Sequence, residues 1–141
     1  MDHRHMWVLN PKGKEQFYEE ALNQIKGVLE DFPYEIGNAR GDANTVPHTD
    51  SFIALNGRAP KDHETFYLPS SLSRSSGKYD CNTVRKPYDR VVVACLCILK
   101  VFLAQDMQLY LAGVPKDWDK GREIAAGAGY PITDKEIRNE N

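Results

Sequence analysis

The chain has 141 residues, 41% of them hydrophobic and 27% charged, the proportions of a folded globular domain, which excludes a disordered tail or a fibrous repeat. A length of this order buries enough apolar surface for one self-sufficient core, so a single domain over residues 1–141 is expected, with about six N-terminal and about eight C-terminal residues frayed. The net charge of −2 and a pI near 6.1 exclude a strongly basic nucleic-acid coat, although residues 58–90 hold seven Lys/Arg against four Asp/Glu, leaving eleven against sixteen elsewhere.

At the N-terminus no long apolar stretch precedes the first polar residues, which predicts no signal peptide, and His3-Arg4-His5 reads as a frayed end. Asn10-Pro11 reads as an N-cap followed by proline at the first helical position, opening a helix that ends at Phe32 before Pro33. Phe17, Ala21, Leu22, Ile25, Val28, Leu29 and Phe32 recur at steps of three and four and so share one face, with Glu15, Glu19, Glu20, Lys26 and Glu30 mainly on the other. Tyr34-Glu35-Ile36 comes next, followed by a Gly, Asn and Asp-rich stretch from Gly37 to Asn44. Ser51 to Leu55 then suits a strand. Asn56-Gly57 is a turn signal, and Glu64 to Leu68 supplies a second strand ended by Pro69, so an antiparallel hairpin is expected with its loop near Arg58 to Asp62. Residues 69–78 carry five serines and read as a mobile loop.

Cys81-Asn82-Thr83-Val84-Arg85-Lys86-Pro87-Tyr88-Asp89-Arg90 leads directly into the apolar run Val91 to Leu99. Pro87 suits a first helical position, because its missing N–H would have no partner there. The run is interrupted by Lys100 and is too short to span about 30 Å of hydrocarbon, so it reads as a buried helix. Arg85, Lys86 and Arg90 crowd a helix end that already carries partial positive charge, an unfavourable placement unless an anion meets them. After this helix, Met107 to Leu111 alternates like a half-buried strand, Asp117 or Asp119 caps a short helix through Ala126, and Thr133 to Glu136 has capping-box spacing. The expected fold class is α+β, a two-layer sandwich with a mostly antiparallel sheet of three or four strands packed by two main helices.

Candidate chemistry centres on the same segment. Arg85, Lys86 and Arg90 with the amides after Pro87 could hold a phosphate or carboxylate, with Tyr88, and Tyr79 beside it, stacking on a base; pairing of the cations with Asp80, Asp89 and other acids is the competing structural reading. Asp62-His63-Glu64 carries acid–base ingredients, but neighbours in a strand point to opposite faces. Cys81 before a helix start near Arg85 has conditions that lower a thiol pKa, yet no partner base is identifiable. Cys95 and Cys97 lie two apart on a helix and cannot bridge, so reduced thiols are expected. Scattered histidines and the absence of Cys-x-x-Cys pairs predict no metal site, and no cofactor is expected. No Walker loop, Rossmann glycine pattern or Gly-x-Ser-x-Gly elbow occurs.

His63-Glu64-Thr65-Phe66-Tyr67-Leu68-Pro69, followed by Cys81 to Asp89 before an apolar helix, resembles a group of small uncharacterised bacteriophage proteins that read HETF-x-LP … CKTARKPYD at these places. The resemblance spans roughly residues 50–120 and includes the Asn-Gly turn and the Asp117-Trp118 pair. The chain departs from it at Asn82 and Val84, and at Ala112-Gly113-Val114, where a Ser-Ser-Asp-Gly-like turn is expected. The resemblance implies a phage origin and carries no assigned activity.

These readings favour a non-catalytic phage accessory protein acting in the host cytoplasm by binding an anionic ligand (a nucleotide or nucleic acid) or a host protein, as a host-defence component. Arg85, Lys86, Tyr88 and Arg90 are the expected binding residues. The alternatives are a nucleotide- or nucleic-acid-processing enzyme and a self-associating virion or scaffold protein. Net charge does not favour nucleic acid, no membrane contact is expected, and homo-oligomerisation is left open.

Overall fold

The computed structural model describes residues 2–41 and 52–140. Its fold is α+β. In chain order the elements are β1 (Arg4–Leu9), α1 (Glu15–Leu29), β2 (Ile36–Gly37), β3 (Ile53–Gly57), β4 (Phe66–Leu68), β5 (Lys78–Asn82), α2 (Asp89–Leu103), β6 (Met107–Tyr110), α3 (Asp119–Gly127) and α4 (Asp134–Ile137). The strands divide into two antiparallel sheets, ordered β5-β1-β6 and β2-β3-β4, where the sequence led us to expect one. The expected hairpin is present as β3 and β4, with Ile53 opposite Leu68 and Leu55 opposite Phe66. Ser51 and the end of the Gly37–Asn44 stretch lie outside the described residues.

The N-terminus is the largest correction. Far from fraying, β1 is the central strand of its sheet, pairing with β5 from Arg4–Asn82 to Val8–Lys78 and with β6 from Met6–Tyr110 to Leu9–Met107. Its inward positions are His3, His5, Trp7 and Leu9, all buried, whereas Arg4 and Met6 face out. This is a period-two pattern in which two histidines stand where apolar residues are usual. Trp7 packs on Phe66 of β4 with centroids 5.2 Å apart and stacks on Tyr79 of β5 at 6.0 Å, joining the two sheets through one core.

The Asn10-Pro11 segment forms a turn, in which Asn10 Oδ1 accepts from Lys12 N at 3.0 Å, and α1 starts only at Glu15. The buried face of α1 is Tyr18, Ala21, Leu22, Ile25, Val28 and Leu29. Phe17 is 39% exposed instead, because its neighbour Tyr18 takes the inward position and donates its hydroxyl to Pro69 O at 2.6 Å. The serine-rich loop is anchored. Leu72 is fully buried in a 3-10 turn over Leu72–Arg74, and the Glu15 carboxylate accepts from Leu72 N and Ser73 N at 3.1 and 2.6 Å.

From Val91 to Lys100 every residue of α2 is buried. A helix apolar on all sides must be covered on all sides, and α1, α3 and β6 cover this one. Gly121 of α3 allows the closest approach, since a Cβ there would collide with the Val93 side chain. No helix among the described residues is long and apolar enough to cross a membrane. At the C-terminus the capping box Thr133–Glu136 forms as its spacing predicts, with Glu136 N donating to Thr133 Oγ1 at 3.2 Å, and Ile137 is buried. Asn139 then closes the free edge of β6, its amide exchanging two hydrogen bonds with the Leu109 backbone at 2.9 and 3.0 Å. The expected fraying there is replaced by a docked segment.

Candidate functional site

Three separated stretches meet at the start of α2: residues 2–5, the motif 81–90, and the loop 112–118. Pro87 is not the first helical residue as expected. Asp89 N donates to Lys86 O at 2.9 Å, so Pro87 and Tyr88 form a tight turn and the helix opens at Asp89. Before it, Lys86 N donates to Thr83 O at 2.9 Å across a turn in which Val84 and Arg85 both have left-handed φ, 43° and 62°. For a β-branched residue this is a genuine outlier, costing on the order of 1–3 kcal/mol. Asn82 holds the turn in place: its Oδ1 accepts from His3 N at 2.9 Å and Val84 N at 3.0 Å, and its Nδ2 donates to Asp2 Oδ1 at 2.7 Å.

Asp89 is the centre of the junction. Its Oδ1 accepts from Thr83 Oγ1 at 2.5 Å and from His5 Nε2 at 2.7 Å, and its Oδ2 lies 3.7 Å from His3 Nε2. The two imidazoles meet edge to face at 5.0 Å. Ala112 N donates to His5 Nδ1 at 3.0 Å, so that nitrogen carries a lone pair and the proton of His5 sits on Nε2, pointing at Asp89. Burial opposes ionisation of Asp89, but the hydrogen bonds from His5 and Thr83 and the nearby imidazoles prevail and hold its carboxyl below the usual range. For His3, burial is the larger effect and outweighs the attraction of Asp89, so its pKa falls below the ordinary 6.5.

His3, His5 and Asp89 each bring a ligand atom within 4.8 Å of the others, the donor set of a metal site. The fit fails at His5. A metal on Nε2 needs the proton on Nδ1, where ligating histidines donate to an acceptor, and here a backbone N–H already faces that nitrogen. The same two bonds leave His5 without a free nitrogen to act as a base. The junction is therefore built as a structural joint, tying β1, the start of α2 and the loop after β6 together.

The expected binding residues are distributed around this joint. Arg85 Nη1 donates to Asp117 Oδ1 at 3.0 Å, and the other carboxylate oxygen accepts from Val114 N at 2.9 Å. The Val114 amide and then Arg85 keep Asp117 below the usual carboxylate range. Arg90 grips Glu35 through two nitrogens, with Nε to Oε2 at 2.9 Å, and lies over the Phe32 ring. Two of the three cations are thus met by acids from outside the segment. Lys86 is half-buried and its ammonium has no partner among the described residues. Tyr88 is fully buried and donates to Glu64 O at 2.7 Å, so it offers no face for a ligand to stack on. Tyr79 likewise stacks on Trp7, with its hydroxyl accepting from Ser76 N at 2.9 Å.

The other candidates do not assemble. Burial pushes the Cys81 thiol up to about 12, opposite to the activation expected from Arg85, whose guanidinium is engaged by Asp117. Cys95 and Cys97 are free, buried thiols. His63 is exposed and tied through its backbone to Asn56, while Glu64 turns away to a bidentate pair with Arg4, both contacts 3.0 Å. Sequence reasoning missed His3, His5 and Thr83. The signal was present in the alternation His3, His5, Trp7, Leu9. The Asp117-Trp118 pair is in contact with the motif: Asp117 binds Arg85, and Trp118 Nε1 donates to the carbonyl of Ala112, the residue whose N–H fixes His5. Comparison of the chain with protein-family models, curated proteins and solved structures gives no match.

Proposed function

We propose that the chain is a non-catalytic phage accessory protein that works in the host cytoplasm by binding an anionic ligand or a host protein through the turn Thr83–Lys86. The observation that carries this reading is the pair of left-handed, non-glycine residues Val84 and Arg85. Strain of this kind persists only where the surroundings over-determine it, and here the strained pair ends in the exposed Arg85, with the half-buried Lys86 next in sequence. The Arg85 side chain is 46% exposed, and solvent screens its pair with Asp117. An incoming phosphate or carboxylate competes readily with Asp117 for that guanidinium fork and gains the Lys86 ammonium as well. Arg90 and Tyr88, committed to Glu35 and to the core, leave the binding set. The test is affinity capture from infected cells with mass spectrometry of co-purifying small molecules and proteins. The double reversal Arg85→Glu, Lys86→Glu should lose a species that wild type and the surface control Lys120→Glu retain; equal recovery by all three contradicts the reading.

A further inference from the structure

A cleft lies at the other end of α2 from the turn Thr83–Lys86. The last turn of α2, the start of β6, the first turn of α1 and the end of α4 enclose a cleft of about 560 Å³, the size range of small-molecule sites. Lys100 lines it and is only 7% exposed. Its ammonium donates to Ala104 O at 2.8 Å and Met107 O at 2.5 Å, which spends two of three protons on the carbonyl just past the end of α2 and the one that opens β6. No carboxylate forms an ion pair with it among the described residues, and burial lowers its pKa. A nearly buried ammonium with one proton and its charge unmatched is costly to keep.

The rest of the lining divides in two. Phe17, Phe102 and Met107 supply apolar surface, and Phe17 is exposed there beneath the Lys14 ammonium, 5.3 Å from its ring centre. Asp106, Glu136 and Glu140 supply carboxylates: Asp106 accepts from Asn10 Nδ2 at 3.2 Å, Glu136 Oε1 accepts from the Thr133 N–H and hydroxyl at 3.2 and 3.0 Å, and Glu140 lies 3.9 Å from Arg138, while none pairs with Lys14 or Lys100. Glu136 is the acid whose field reaches Lys100. Two non-glycine residues with left-handed φ, Ala104 at 49° and Asn139 at 64°, also line the cleft, and such backbone clusters where a ligand is gripped. A simple anion would meet three carboxylates, and a simple cation would meet Lys100 at the base. A zwitterion with an apolar body satisfies both.

We infer that the cleft binds an apolar α-amino acid, its carboxylate on Lys100, its ammonium on Glu136, and its side chain against Phe17 and Phe102. Titration of the full chain followed by ¹H–¹⁵N NMR, with L-phenylalanine, 3-phenylpropanoate and 2-phenylethylamine as probes, decides it. L-Phenylalanine should shift cleft residues saturably and bind about tenfold or more tighter than either probe lacking one charge, the scale of one lost charge-assisted hydrogen bond. Lys100→Met should abolish that preference. Glu136→Gln, which keeps an acceptor for the Thr133 cap, should weaken L-phenylalanine and leave 3-phenylpropanoate unchanged, and it serves should Lys100→Met fail to fold. No saturable shift in the cleft, equal binding by either single-charge probe, or an unaffected Glu136→Gln variant would each overturn the inference.

Discussion

Replacing Asp89 by alanine removes the acceptor of two donors that have nowhere else to turn. Thr83 Oγ1 and His5 Nε2 both point at Oδ1, and His5 cannot move its proton to Nδ1 because the Ala112 N–H occupies that side. Leaving a buried donor unsatisfied costs about 1–3 kcal/mol, and losing an acid from the first turn of a helix costs about 0.3–1 kcal/mol more. With the Asp89 side chain 16% exposed, water offsets little of this, and the expected total is about 3–5 kcal/mol. For a chain of this size that lowers the melting temperature by roughly 10–20 °C. Asp89→Asn keeps the Oδ1 carbonyl as acceptor for both donors and gives up the negative charge, and should cost about 1–2 kcal/mol. Urea unfolding followed by fluorescence of the buried Trp7 and Trp118 measures both. An alanine variant that loses less than about 1 kcal/mol, or no more than the asparagine variant, would refute the joint.

Stability should fall with acid in two stages. The folded pKa of His3 is lowered, so the unfolded chain binds its proton first and stability declines as pH drops from about 6.5 through the folded value. The lowered Asp89 carboxyl contributes stability present above about 3.8 and lost as pH falls through its folded value. A His3→Gln variant should lack the first decline in a pH series of unfolding curves and keep the second. Gly121→Ala should destabilise by about 1–3 kcal/mol in the same assay, since its methyl meets Val93 where α3 crosses α2; a neutral result would mean the helices stand further apart. All three thiols should resist Ellman's reagent at pH 8 until the protein unfolds, because burial raises each pKa, and rapid labelling of Cys81 in the folded state would contradict that burial.

The parts of the fold legible in the sequence are those whose signal is local. Periodicity located α1, the unbroken apolar run located α2, and two apolar runs with the bounding Pro69 located the hairpin, although Asn56 and Gly57, expected as its turn, are the last residues of β3 and pair with Gly37 and Ile36. What escaped lacks such a signal. β1 hides because His3 and His5 sit at inward positions, and a buried histidine is recognisable only once its partner is known. β5 hides because Lys78, Tyr79 and Asp80 continue a polar loop without a break, and its pairing comes from β1, more than sixty residues away. The separation into two sheets follows from non-local pairing alone. At the site, the motif drew attention through its surplus of cations, and that surplus was real within the segment. The acids that answer it, Glu35 and Asp117, lie on other elements, as do the histidines that surround Asp89.

The joint turns on the proton of His5. Long-range ¹H–¹⁵N NMR of the imidazole nitrogens, recorded at neutral pH with and without added Zn²⁺, reads its tautomer directly. The hydrogen-bond network predicts a protonated Nε2 and an unprotonated, accepting Nδ1, unchanged by the metal. A proton on Nδ1, or loss of the Nε2 proton when Zn²⁺ is added, would make the junction a metal centre and contradict its role as a joint.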